Sequence, residues 1–308
     1  MKVYQGIEEF KPLTHAVSTI GTFDGVHAGH QRIIARLTEV ASAEKGESVV
    51  LTFFPHPRMV LQPDDNNLKL LTTMNERIEL LKKLGVNHLI IQPFDKEFSR
   101  QTAIEFVRDI LVNQIGTKTL VIGYDHHFGR NREGSFKDLE EMSPIYGFRL
   151  EEIPKQVINE VAVSSTKIRN SLLTGDIKTA SNLLGHDFTL SGKVVDGDKI
   201  GRTLGFPTAN LAIAEQYKLI PGSGIYAVTV KVDGKLYKGM MYIGNRPVVH
   251  GNRLSIEVNI FDFNENIYNH DVMVYFKGRV RDDIHFSNLD DLRKKMKEDK
   301  EVATKMLD

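Results

Sequence analysis

Two histidines three residues apart, His27 and His30, close the run Gly21-Thr22-Phe23-Asp24-Gly25-Val26-His27-Ala28-Gly29-His30. The run follows a short apolar stretch, Ala16 to Ile20. It precedes Gln31 to Ala43, where Ile33, Ile34, Leu37 and Val40 recur at helical spacing. It therefore sits where a strand ends and a helix begins, the place at which open α/β sheets bind ligands. Glycines such as Gly21 and Gly29 let the backbone approach a phosphate, and a helix N-terminus offers free N–H groups and a positive dipole end. Both imidazoles, with Phe23 in the turn before them, can face a triphosphate and stabilise charge on a phosphoryl oxygen. A metal-binding pair or two surface histidines are the plainer alternatives, although no third ligand of obvious spacing follows on the helix.

Other stretches offer compatible chemistry. Ser164-Ser165-Thr166-Lys167-Ile168-Arg169 follows a strand-like Val161 to Val163 and opens a helix. Its hydroxyls can cap the helix or bind phosphate, and Arg169 lies one turn in, suited to a phosphate oxygen. Taken alone, it reads as a plain helix cap with a surface arginine. Gly123 to Arg130, containing Asp125, His126, His127 and Phe128, also follows a strand and should reach the same sheet edge. Its paired histidines are open to a metal reading. Gly201 to Leu211 is too rich in glycine and proline for a regular helix or central strand. As a rigid loop it would hold Thr208 and Asn210, two neutral oxygen ligands of the kind Mg²⁺ accepts beside waters and phosphates.

The turn His27-Ala28-Gly29-His30 resembles the His-x-Gly-His signature of the nucleotidylyltransferase superfamily. That resemblance implies transfer of the adenylyl group of ATP, with Gly21, Phe23, Gly29, Ser164, Ser165, Thr166 and Arg169 around the nucleotide. Gly123-Tyr124-Asp125 through Phe128-Gly129 resembles a segment of the flavin-adenylating branch, implying flavin or ATP contact by Asp125 and Phe128. Pro55-His56-Pro57-Arg58 matches the same branch and would line the flavin side through Pro55, His56 and Arg58. Pro207-Thr208-Ala209-Asn210 resembles the riboflavin kinase family. So do Gly224-Ile225-Tyr226, Gly244-Asn245-Arg246-Pro247 and Glu257 to Phe263. This second resemblance implies a phosphate-covering approach from Gly192, Gly197, Gly201 and Arg202, and Mg²⁺ on Thr208 and Asn210. It also implies flavin contacts from Arg281 and Phe286, and Glu257 as the general base that takes a proton from a primary alcohol. Val248 and Asn259 depart from that family's usual Thr and His, which touches flavin contacts rather than the reaction. The order of the two resemblances is that of the bacterial bifunctional riboflavin kinase/FAD synthetase family. A nucleotidylyltransferase for another acceptor fused to a flavin-binding barrel, and a non-enzymatic flavin-binding regulator, are the competing readings.

The elements that must carry these groups fall into two halves. Strand-like and helix-like segments alternate at first: Ser48 to Phe54, a helix opened by Thr73-Met74-Asn75-Glu76 with Ile78, Leu81 and Leu84 on one face, Val86 to Ile91, a helix over Thr102 to Gln114, and Thr119 to Ile122. Such alternation predicts a parallel, Rossmann-like sheet with crossover helices over residues 1–185. From Phe188 the pattern turns β-rich, with a hairpin signal at Asp233-Gly234, which predicts a closed antiparallel barrel over residues 186–308. A charged helix follows over Asn288 to Leu307, with Leu289, Leu292, Met296 and Val302 available for docking.

With 308 residues there is length for a sizeable core in each half. Lys+Arg and Asp+Glu are 40 each, which argues against electrostatic wrapping of nucleic acid. The absence of cysteine excludes disulfides, thiolate metal sites and cysteine nucleophiles. No apolar h-region opens the chain and no apolar run is long enough for a spanning helix, so a cytoplasmic protein off the membrane is expected. The expected partners are riboflavin, FMN, FAD and ATP, with Mg²⁺ as cofactor and a monomer as the favoured state.

Overall fold

Strands that are apolar on both faces need helices on both faces, and the first half of the chain meets that need. In the computed structural model β1 (Lys2–Tyr4), β2 (Ala16–Ile20), β3 (Glu47–Phe54), β4 (His88–Pro93), β5 (Thr117–Gly123) and β6 (Arg149–Ile153) form one parallel sheet in the order β1-β4-β3-β2-β5-β6. The structure describes residues 1–63, 68–123, 126–153, 164–197, 200–248 and 251–308. Asp125 and the strand expected at Val161 to Val163 lie outside the described residues. Alternate residues of β2 feed opposite cores: Ala16 and Ile20 pack with Phe106 and Leu120, Val17 with Ile34 and Leu37. The crossover helices include Ala28–Ala43, Met74–Lys83, Ala103–Glu105 running on into Phe106–Ile115, and Phe136–Tyr146.

The sheet is Rossmann-like. From β2 the chain steps outward through β3 and β4, then returns to place β5 and β6 on the other side of β2. That reversal opens a crevice at the carboxyl ends of β2 and β5. Gly21 to His30 follows β2, and Gly123 ends β5.

Several boundaries differ from expectation. The first helix starts at Ala28 rather than Gln31, so His27 becomes its N-cap and His30 lies within it. The fourth strand starts at His88 rather than Val86. The helix capped by Thr102 and Glu105 is π-type over Phe106–Ile115, a hydrogen-bond shift that side-chain periodicity does not reveal. Neither β6 nor Phe136–Tyr146 was anticipated. β6 is a partly exposed edge strand without clean alternation, and the helix carries Pro144.

Contacts divide the chain into two compact units, residues 1–70 with 74–163, and residues 71–73 with 164–308. In the second unit, helices Ser165–Leu173 and Ile177–Leu184 precede a closed barrel. Its strands are β7 (Thr189–Val195), β8 (Ala209–Ala212), β9 (Gly224–Val232), β10 (Lys235–Val248), β11 (Gly251–Ile260) and β12 (Asp271–Arg281), in the order β10-β11-β8-β7-β12-β9. All pairings are antiparallel, and β10 pairs with β9 to close the ring. Asp233 (φ 45) and Gly234 (φ 84) make the two-residue turn from β9 to β10, with both residues left-handed as that turn requires.

Two expectations are corrected here. Gly201 to Leu211 is not one irregular loop: Ile200–Thr203 is a short helix, and β8 is a central strand paired with both β7 and β11. Pro207 lies just ahead of β8, so its missing N–H costs no ladder bond. The terminal helix Leu289–Leu307 docks through Met296, as expected, but not through Val302, which is 43% exposed; Ala303 and Leu307 pack beside Met296. Val302 sits about 100° around the helix from Ala303, off the packed stripe.

Candidate active sites

The turn after β2 is built under strain. Phe23 (φ 47), Gly25 (φ 79) and Val26 (φ 40) all take left-handed backbone. Glycine does so freely, whereas β-branched Val26 is strained there, at about 1–3 kcal/mol for such a residue. Complete burial of the Phe23 and Val26 side chains in the sheet core holds the conformation. The result is a fixed His27, whose Nδ1 accepts a hydrogen bond from the backbone N–H of His30 at 3.3 Å. With Nδ1 accepting, the proton of neutral His27 sits on Nε2.

The His30 ring stacks on that of His27, with centroids 3.6 Å apart and planes 15° from parallel, and meets Phe23 edge-on at 5.2 Å. Burial, then the neighbouring His27, then Arg77 push the His30 pKa well below its ordinary value, so the ring is neutral at pH 7. Arg77 is itself buried and lies 3.7 Å from buried Asp24. Two neutral imidazoles, a helix N-terminus and a guanidinium behind them form a donor surface for polyphosphate oxyanions.

At the same sheet edge, β3 is followed by Pro55 and by His56, whose Nδ1 accepts from the Arg58 N–H at 3.2 Å and caps the helix Pro57–Leu61. Phe128 is buried in the core against Phe106, with ring centroids 5.9 Å apart. Ser164 caps Ser165–Leu173 by accepting from the Lys167 N–H at 3.2 Å; Ser165, Thr166 and Arg169 follow it in the second unit. Among the described residues no group of three or more His, Asp or Glu is arranged to hold a metal.

The barrel and the terminal helix form an open cavity of about 570 Å³ lined by Gly197, Gly201, Thr208, Asn210, Glu257, Arg281 and Phe286, among others. Glu257 is only 7% exposed and stands in register between Asn210 of β8 and Tyr242 of β10. Its Oε2 accepts from Thr208 Oγ1 at 3.1 Å and its Oε1 from Ser255 Oγ at 2.7 Å. A hydroxyl has one proton and two lone pairs. Thr208 thus gives its proton to Glu257 and keeps its oxygen for a cation. A Cβ on Gly197 would lie 2.1 Å from Asn210 Nδ2, and one on Gly201 would lie 2.3 Å from the Phe206 carbonyl oxygen. A side chain at Gly201 would meet backbone, and one at Gly197 would displace the Asn210 amide. Hydroxyl, amide and carboxylate oxygens gathered in one cavity are a hard donor set that fits Mg²⁺.

The other wall is apolar, formed by Leu289, Leu292 and Met296 of the terminal helix. Arg281 reaches it, gripped by Asp299 through contacts of 2.7 to 3.0 Å, with Phe286 5.8 Å from the guanidinium carbon. A second cavity of about 270 Å³ is lined by Arg202, Pro207, Phe263 and Tyr268, and Thr208 lies on both cavities. Gly192 stands apart from both; it is a β7 residue packed against Ala212 and Ile213.

Sequence reasoning missed Ser255, Asp299 and Arg77. Ser255 was legible in principle, because it precedes Glu257 by the two-residue strand period. Asp299 falls between Met296 and Ala303 on the docking stripe, where an acid must have a partner. Nothing local marks Arg77.

A family model described as FAD synthetase matches residues 10–167, and one described as riboflavin kinase matches residues 184–307. The bifunctional riboflavin kinase/FMN adenylyltransferase of Haemophilus influenzae is 37% identical over 286 residues, 92% of each chain. That of Escherichia coli K12 is 35% identical over 306 residues, covering 98% of this chain and 97% of its own. A crystal structure described as a macrolide-efflux protein from Streptococcus pneumoniae has a TM-score of 0.88 at 32% identity, over 98% of both chains. Among the described residues here, no helix is long and apolar enough to cross a membrane. Two matches in series, with relatives of one description along nearly the whole length, lead to a single assignment: the chain belongs to the bifunctional riboflavin kinase/FMN adenylyltransferase family.

Proposed function

We propose that the chain makes FAD from riboflavin in two ATP-dependent steps. In the barrel, the ribityl hydroxyl of riboflavin attacks the γ-phosphorus of ATP. Glu257 takes the hydroxyl proton, ADP leaves, and FMN forms. In the sheet domain, a phosphate oxygen of FMN attacks the α-phosphorus of a second ATP, giving FAD and pyrophosphate. That phosphate is already anionic and needs no base. His27 and His30 donate hydrogen bonds to the phosphoryl oxygens as charge moves to the departing pyrophosphate. The division of labour runs at 185/186, close to residue 184, where the riboflavin kinase match begins.

The observation that carries the kinase reading is Thr208, which lies on both barrel cavities and is bonded to Glu257. The larger cavity, with its apolar helix wall, Arg281 and Phe286, suits the flavin. The smaller one, with Arg202, suits the nucleotide, and Gly197 and Gly201 admit the phosphates between them. Thr208 and Asn210 would hold Mg²⁺, which supplies neutralisation of phosphate charge when bound. In the sheet domain, Gly21, Phe23 and Gly29 shape the polyphosphate turn, and Pro55, His56 and Arg58 lie toward the flavin; Ser164, Ser165, Thr166 and Arg169, expected at the nucleotide from the family resemblance, belong to the second compact unit. The protein works on small molecules in the cytoplasm, with a monomer as the favoured state.

The test separates the two steps. The full chain is incubated with riboflavin, ATP and Mg²⁺, and FMN and FAD are resolved chromatographically. His30→Ala should lower FAD formation by about 10²-fold or more and spare FMN formation. Glu257→Gln should lower riboflavin phosphorylation by about 10²- to 10⁴-fold while supplied FMN is still adenylylated. Equal loss of both steps in either folded variant refutes the two-site assignment.

A further inference from the structure

The two hydroxyls on Glu257 are not equivalent. Thr208 lies on both cavities and has an oxygen to lend to a cation. Ser255 lies two residues before Glu257 on β11, so both side chains leave the same face of the strand. Its Oγ donates to Oε1 at 2.7 Å, against 3.1 Å for Thr208 to Oε2. We propose that Ser255 is a positioning residue for riboflavin phosphorylation, tying down Oε1 so that Oε2 stands ready for the ribityl proton.

The proposal rests on the reading of Glu257 as the base. A carboxylate turns readily about its last torsion, which has no sharp rotamer wells. A donor held on each oxygen removes that freedom. Losing the Ser255 bond therefore frees the carboxylate to turn, and Oε2 is less often aimed at the ribityl hydroxyl.

Ser255→Ala is assayed in the full chain for riboflavin phosphorylation at pH 7. The expected result is a kcat about tenfold lower and a riboflavin KM within twofold of the starting value. Ser255→Thr restores kcat, and FMN adenylylation by Ser255→Ala stays unchanged, reporting an intact fold. An unchanged kcat, with or without a raised KM, overturns the proposal. So does a failure of Ser255→Thr to restore kcat. Glu257→Gln, run in parallel, separates the two levels. If it phosphorylates riboflavin at the original rate, the base reading itself fails. If it is inactive while Ser255→Ala behaves normally, only the role of Ser255 is lost.

Discussion

Replacing Gly197 by alanine tests the barrel site through a single methyl group. The backbone at Gly197 is not among the left-handed positions, so alanine imposes no backbone strain there. What it does impose is a contact of 2.1 Å with Asn210 Nδ2 and 2.4 Å with Asn210 Cγ, where an ordinary contact needs 3.4 Å or more. Asn210 cannot retreat by moving its backbone, because β8 is paired with Val195 on one side and Glu257 on the other. Its amide must therefore swing by more than 1 Å, at an off-rotamer cost of about 0.5–1.5 kcal/mol. A displacement of that size costs about 10²-fold in rate if Asn210 has the proposed role of positioning phosphate and cation. Riboflavin phosphorylation by Gly197→Ala should fall by about that factor, with FMN adenylylation within twofold. A double-mutant cycle closes the argument: Gly197→Ala should add nothing in an Asn210→Ala background, where the clash is gone. Phosphorylation within threefold of the starting enzyme, or full additivity in the cycle, would refute the reasoning.

Two further outcomes follow from named contacts. The His30 pKa is depressed in the folded protein, so the unfolded chain takes up the proton first as pH falls. Stability should hold above pH ~6.5 and drop below it by at most about 1.4 kcal/mol per pH unit from this residue. Denaturation midpoints between pH 7.5 and 5.5 should show a shallower acid fall in His30→Gln, and equal slopes would count against a buried neutral ring. Asp299→Asn removes the carboxylate that grips Arg281 at the cavity proposed for the flavin. Riboflavin KM should rise about tenfold, equivalent to about 1.4 kcal/mol of lost binding, with FMN adenylylation untouched; an unchanged KM would separate Arg281 from flavin binding.

Much of the architecture was written in local patterns. Apolar runs such as Val49-Val50-Leu51 mark strands covered on both faces, and the Asp233-Gly234 pair marks a hairpin, because strand period and turn chemistry are short-range properties. The chemistry proposed for His27, His30, Thr208, Asn210 and Glu257 was read for the same reason, since each sits in a contiguous motif. Residue type and spacing over a few positions did not extend to partners brought together by folding. Thr208 and Glu257 meet across 49 residues, and Arg281 and Asp299 across 18. Arg77 finds Asp24 only because the helix Met74–Lys83 packs on the turn after β2. Whether a charged side chain is solvated or buried, and so whether it is ordinary or functional, depends on what the rest of the chain places around it. Contiguous motifs nominated the candidate reacting groups; burial and cross-strand register, which only the assembled sheet and barrel possess, decided what holds them in place.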